Sequence, residues 1–99
     1  MNRVHLDLMD KSGIFFIEKK KKKIAYMTFR LTDDKQIMVD HTIVFPPNEG
    51  KGYAKMLMKE MLTFTQQNNL TLIPLCRFVK EQLVNFPEYK IRVEDIENE

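Results

Sequence analysis

The period of the apolar pattern changes once along this chain, and that change restricts the fold more than any other feature. Up to Val44 the pattern is that of strands. Val4, Leu6 and Leu8 alternate with His5, Asp7 and Met9, and "IFFIE" (14–18) is rich in strand formers. "IAYMTFRL" (24–31) alternates, with Ile24, Tyr26, Thr28 and Arg30 on one face and Ala25, Met27, Phe29 and Leu31 on the other, and "QIMVDHTIV" (36–44) follows. Asp10 to Gly13 and "TDDK" (32–35) are turn chemistry. After Pro46-Pro47 the spacing becomes helical. Ala54, Leu57, Met58, Met61 and Phe64 share a face between Lys51 and Gln67, and "QNN" (67–69) stops the helix. "LTLIPLC" (70–76) returns to strand, with Pro74 requiring an edge, a bulge or a break in pairing. "RFVKEQLVNF" (77–86) is a second, shorter helix that Pro87 ends, and the acidic tail "VEDIENE" (93–99) is expected to be frayed.

A strand, a helix and another strand make a crossover. Segments 36–44 and 70–76 should therefore be parallel and joined with a right-handed connection. A hairpin meander feeding one such unit gives an α+β fold: a mixed, mostly antiparallel twisted sheet with two packed helices. No repeat or linker divides the 99 residues, so one domain over 1–99 is expected.

The single cysteine, Cys76, excludes an internal disulfide and a thiolate zinc cluster, and no metal is expected. It suits a reducing compartment. No apolar run is long enough to span a membrane, and the N-terminus lacks the apolar core of a signal peptide, so a cytoplasmic protein with no membrane partner is expected. A net charge of +2 is too small to imply nucleic acid by itself, and nucleic acid is not an expected partner. Lys19 to Lys23 read as a solvated hairpin tip, with a patch for an acidic partner or nucleic acid as the weaker alternative. Tyr26 and Phe29 read as sheet or core residues rather than stacking platforms.

The chain has three glycines, and two of them, Gly50 and Gly52, flank Lys51 between the fourth strand and the long helix. A helix start presents main-chain N–H groups and the positive end of its dipole, and glycine lets backbone approach a ligand. "EGKGYA" is thus a candidate pyrophosphate cradle. It is neither a Walker loop nor a dinucleotide fingerprint. Lys51, Lys55 and Lys59, four apart, repel one another unless an anion faces them.

The order of elements, "EGKGYAKML" at the junction and "LIPLC" before a short helix resemble the GNAT superfamily of acetyl-coenzyme A-dependent N-acyltransferases, in its short single-domain branch. Asp40-His41-Thr42, Pro74-Leu75-Cys76 and Pro87-Glu88-Tyr89 match that branch in order, over roughly residues 13 to 90. The resemblance implies an N-acetyltransferase that takes acetyl-CoA as co-substrate and an unidentified amine as acceptor, either a small molecule or a protein lysine or N-terminus. It maps the superfamily's Q/R-x-x-G-x-G/A loop onto Glu49 to Ala54. Glu49 departs from the pattern, and Lys51 and Lys55 could offset its charge. Coenzyme contacts are then expected from Glu49, Gly50, Lys51, Gly52, Tyr53, Ala54 and Lys55. Thr42, Ile43, Val44, Cys76 and Phe78 are expected beside the acyl chain, which lies where the two parallel strands splay apart.

His41 and Cys76 lie near the ends of those strands and are the candidate catalytic pair. Histidine is the side-chain type suited to proton uptake near neutrality. A cysteine there could protonate the leaving thiolate or accept the acetyl group first. By strand alternation Asp40 should face away from His41. The chain is short for the superfamily, so the alternative is a non-catalytic acyl-CoA-binding sensor or interaction module.

Overall fold

The structure, a computed structural model, describes residues 3–94; residues 95–99 of the expected frayed tail lie outside the described residues. A four-stranded antiparallel meander comes first, from β1 (Val4–Met9), β2 (Ser12–Lys19), β3 (Lys22–Leu31) and β4 (Gln36–Val44). Then α1 (Tyr53–Gln67), β5 (Thr71–Pro74), α2 (Arg77–Gln82) and a 3₁₀ turn (Leu83–Asn85) follow. The sheet order is β1-β2-β3-β4-β5, antiparallel except for the parallel pair β4–β5 across α1. This is the mixed sheet with two helices that the change of period implies. No helix among the described residues is long and apolar enough to cross a membrane.

Alternation decides what the sheet buries. Phe15, Ile17, Met27, Phe29, Ile37 and Val39 point to one face, where they form one core with Leu57, Met58, Met61 and Leu62 of α1 and Val79 of α2. Both helices therefore cover the same face. Phe15, Phe29 and Phe64 make an aromatic cluster between sheet and helix, with centroids 5.0 to 5.7 Å apart. Phe29 can lie flat only because its cross-strand partner is Gly13, where a Cβ would overlap the ring. Gly13→Ala is therefore expected to cost about 2 kcal/mol. A drop of roughly ten degrees in melting temperature would register it; an unchanged melt would mean that the ring has room to move.

Two β-bulges alter the simple alternation. One lies between Ile17 and Glu18, opposite Ile24. It turns Ile24 as well as Ala25 into the core, so Ile24 does not share the face of Tyr26 as the alternation predicts. The second leaves Asp40 as the extra residue, since Thr28 opposes His41 and Phe29 opposes Val39. Asp40 accepts hydrogen bonds from Arg30 Nε at 3.0 Å and Nη2 at 2.7 Å. Arg30 and Thr28 lie two apart on β3, so Asp40 and His41 stand on the same face, contrary to the expectation from alternation. The guanidinium is held protonated above its ordinary range by this hydrogen bond and by the carboxylate's charge.

The β2–β3 connection is a two-residue turn at Lys20 and Lys21, with φ of 54° and 66°. Positive φ at both positions is the type I′ geometry that normally recruits Asn-Gly. Replacing Lys20-Lys21 with Asn-Gly should raise stability by about 1 kcal/mol, seen as a melt some 5 °C higher. An Asn does this work at the end of α1. Asn69 (φ 54°) donates to Gln66 O and Leu70 donates to Thr65 O, which closes a Schellman motif.

The start of the acidic tail is paired. Leu72 donates to Arg92 O and accepts from Glu94, so residues 92–94 guard the outer edge of β5. β5 itself is short because Pro74 cannot donate to a ladder.

Candidate active site

β4 and β5 pair only from Gln36–Thr71 to Val39–Pro74. There the ladder stops: Val39 O accepts from both Leu75 N (3.1 Å) and Cys76 N (3.0 Å), and the chain turns into α2. β4 continues for five more residues, so the two strands diverge into a cleft. Phe45 N donates to Ile24 O on the β3 side. Two-residue alternation then directs the main-chain groups of Thr42 and Val44 to the opposite edge, into the cleft.

At the mouth of the cleft lies the turn that starts α1. Gly50 and Gly52 have φ of 80° and 84°, a left-handed conformation that glycine adopts without strain, and a Cβ on either would meet nothing within 4 Å. Gly52 is the N-cap residue. No side chain caps the helix and no acid lies in its first turn. The first intrahelical bond runs from Met56 N to Gly52 O, which leaves the amides of Ala54 and Lys55 ahead of the ladder.

Cleft and turn form one groove of about 570 Å³, lined by Thr42, Val44, Asn48, Glu49, Gly50, Gly52, Tyr53, Ala54, Lys55 and Phe78. It is apolar where the strands diverge and rich in main-chain donors at the helix start. The GCN5-related N-acetyl-transferase family profile matches residues 14–92, which include every part of this groove. The chain belongs to the GCN5-related N-acetyltransferase family.

Solved structures agree with this membership. A GCN5-like candidate N-acetyltransferase from Staphylococcus aureus, solved by NMR, is 27% identical with a TM-score of 0.68, the match covering 99% of this chain and 95% of that one. The ribosomal-protein-alanine N-acetyltransferase of Brucella melitensis shares the fold at 18% identity and TM-score 0.64, over 92% of this chain and 69% of its own. A candidate GNAT-family acetyltransferase from S. aureus shares it at 17% and 0.56, over 63% of this chain and 52% of that chain. No curated protein matches the chain closely enough to count as a relative.

Within this acetyltransferase fold, most of the residues singled out in the sequence meet at the groove. Three stand apart. Ile43 turns its side chain to the other face of the sheet, paired with Tyr26, and is 37% exposed. Lys51 is exposed in the loop but does not line the groove. Cys76 sits just behind the wall, 9% exposed, with its Sγ donating to Thr42 Oγ1 at 3.4 Å. His41 and Cys76 are not brought together: His41 is exposed on the face away from the helices, while Thr42 is the cysteine's partner. Asn48 joins the groove without having been singled out. It donates its amide to Phe45 O at 2.8 Å, which folds the loop so that Glu49 follows it into the lining. The sequence offered one sign of this, an Asn after Pro-Pro, a common turn former.

Proposed function

We propose that this protein transfers an acetyl group from acetyl-CoA to a primary amine. The observation that carries the reading is the continuous groove from the strand divergence to the uncapped, glycine-flanked start of α1. In this reading the amides around Gly50 to Ala54 hold the pyrophosphate, with the dipole of α1 behind them. The pantetheine arm lies against Val44 and Phe78. The thioester carbonyl reaches the main-chain donors of Thr42 and Val44, which polarise it. The amine nitrogen attacks the carbonyl carbon, the C–S bond breaks, the amine loses a proton and the departing sulfur takes one.

Cys76 is the proposed source of that proton, passed on through the Thr42 hydroxyl to which its thiol donates, so that Thr42 gives its proton to the sulfur and takes the thiol's; a transient acetyl group on Cys76 is the other course open to it. His41, beside Thr42 but on the far face of β4, is the proposed base for an amine arriving through that face. His41→Ala should then lower kcat/KM for the amine and spare KM for acetyl-CoA. Unchanged turnover would return His41 to a surface role. Glu49 opposes the ligand's charge, so Glu49→Gln is expected to tighten acetyl-CoA binding about fivefold; calorimetry showing weaker binding would instead give Glu49 a supporting contact.

The direct test is a thermal-shift titration with acetyl-CoA, followed by acetyl-CoA consumption with a panel of amines. Ligand at a hundred times Kd stabilises by about 2.7 kcal/mol, a rise of roughly fifteen degrees. No shift would overturn the reading. A shift without turnover would favour the second one, an acyl-CoA sensor. Supporting that alternative, Leu6, Leu8 and Met9 of the outer strand are exposed, and no helix among the described residues covers the sheet's second face to wall an acceptor pocket.

A further inference from the structure

The second face of the sheet carries an organised row of rings. His5, Phe16, Tyr26 and Ile43 are register partners in turn across β1, β2, β3 and β4. They share one face, and none belongs to the core or packs against it. Strand spacing makes this row about 14 Å long. His5 and Phe16 stack with centroids 5.2 Å apart and planes at 22°, and Tyr26 lies 5.7 Å from Phe45, which is 41% exposed. Lys23 holds its Nζ 4.7 Å from the centre of the Phe16 ring. Lys23 is also the last of the five lysines, and Lys19 to Lys22 project beyond it at the exposed hairpin tip, with Arg3 immediately before the neighbouring strand and Glu18 the one acid in the run 18–23.

The geometry points to a binding surface for single-stranded nucleic acid, with bases stacking on the His5–Phe16–Tyr26 row and phosphates running toward the Lys19–Lys23 hairpin. The ligand that fits has flat apolar faces on one side and a repeated negative charge on the other. A duplex hides its base faces and cannot use the rings. A cationic amine is repelled at the hairpin itself, which lies on the other side of the ring row from His41. A membrane surface would need apolar residues at the projecting end, but the projecting end is lysine, with the rings behind it. The small net charge of the whole chain concealed this surface: of the acids on this face, Asp40 is paired with Arg30, and Asp7 lies beyond the ring row, away from the lysine hairpin. This binding is independent of the coenzyme groove and is measured without acetyl-CoA.

The experiment is fluorescence anisotropy with a short mixed-sequence single-stranded RNA. Affinity is expected to fall roughly fiftyfold between about 50 and 200 mM salt, as four phosphate contacts on a single strand dictate. The pair Lys20→Glu with Lys21→Glu, at the solvent-exposed turn, should lower affinity at least about tenfold and flatten that salt dependence. Tyr26→Ala should lower affinity about tenfold and leave the salt slope unchanged. If circular dichroism shows that Tyr26→Ala has lost its fold, Phe45→Ala carries the stacking arm. The proposal is overturned by no anisotropy change at low salt, by a duplex bound as tightly as the single strand, or by affinity indifferent to the ring variants. Tighter, ring-dependent binding to phosphatidylserine vesicles would overturn it in favour of a membrane.

Discussion

Gly52→Asp is expected to weaken acetyl-CoA binding by roughly a hundredfold or more while the domain stays folded. At about 4 Å and the effective dielectric of a protein surface, one carboxylate repels each phosphate charge by up to about 4 kcal/mol, and about two-thirds of that from one phosphate already reaches the stated loss. The fold should survive because Gly52 has open space around its missing Cβ, and because Asp and Asn tolerate the left-handed conformation better than other L-residues. The remaining cost is about 1 kcal/mol of stability. Gly52→Asn separates charge from strain: it should keep binding within a few-fold of the parent. Calorimetry in which both variants bind like the parent would mean that the pyrophosphate sits elsewhere. Equal losses in both would mean that main-chain shape, not charge, governs the cradle.

Cys76→Ala is expected to cut turnover by about a hundredfold or more, the usual range for loss of a positioned proton donor. KM for acetyl-CoA should change little, because Cys76 lies behind the groove wall. Thr42→Val offers a test of positioning, since it removes the hydroxyl to which the thiol donates and keeps the side chain's volume. If Cys76 acts only by filling space, Cys76→Ala should lower the melting temperature and leave kcat intact, and Thr42→Val should leave kcat intact too. Mass spectrometry after incubation with acetyl-CoA alone separates the two possible roles of the thiol. An added acetyl group on the peptide holding Cys76 marks covalent transfer, and an unmodified thiol with normal turnover in the full reaction marks proton donation.

The order of strands and both helices were legible because period two and period 3.6 are far apart and each run is long enough to hold its period. The glycine turn was legible because glycine is so rare in this chain. The two bulges were not, since alternation assumes that every strand residue has a partner. The doublets Ile24-Ala25 and Asp40-His41 carry the sign that was missed: two neighbours of like polarity mark the places where the strand has slipped by one. That slip places His41 and Asp40 on the same face and leaves Thr42, not His41, with Cys76. The type I′ turn was hidden for a different reason. Lysine at both positions does not announce left-handed backbone, and only the register of Lys19 with Lys22 fixes it.

The forked carbonyl of Val39 has a consequence for how the enzyme could diversify. One oxygen, deep in the sheet, ties down two successive amides of the departing chain and so sets the depth of the wedge between the strands. The segment 46–52, by contrast, lies at the rim, exposed at every residue but Asn48. Lengthening or recharging that rim should change how firmly a long, charged carrier is gripped without altering how far its reactive end penetrates. Grip and reach are thus adjustable separately, and a survey of rim insertions that moved Kd while leaving the rate of the bound complex untouched would display that separation.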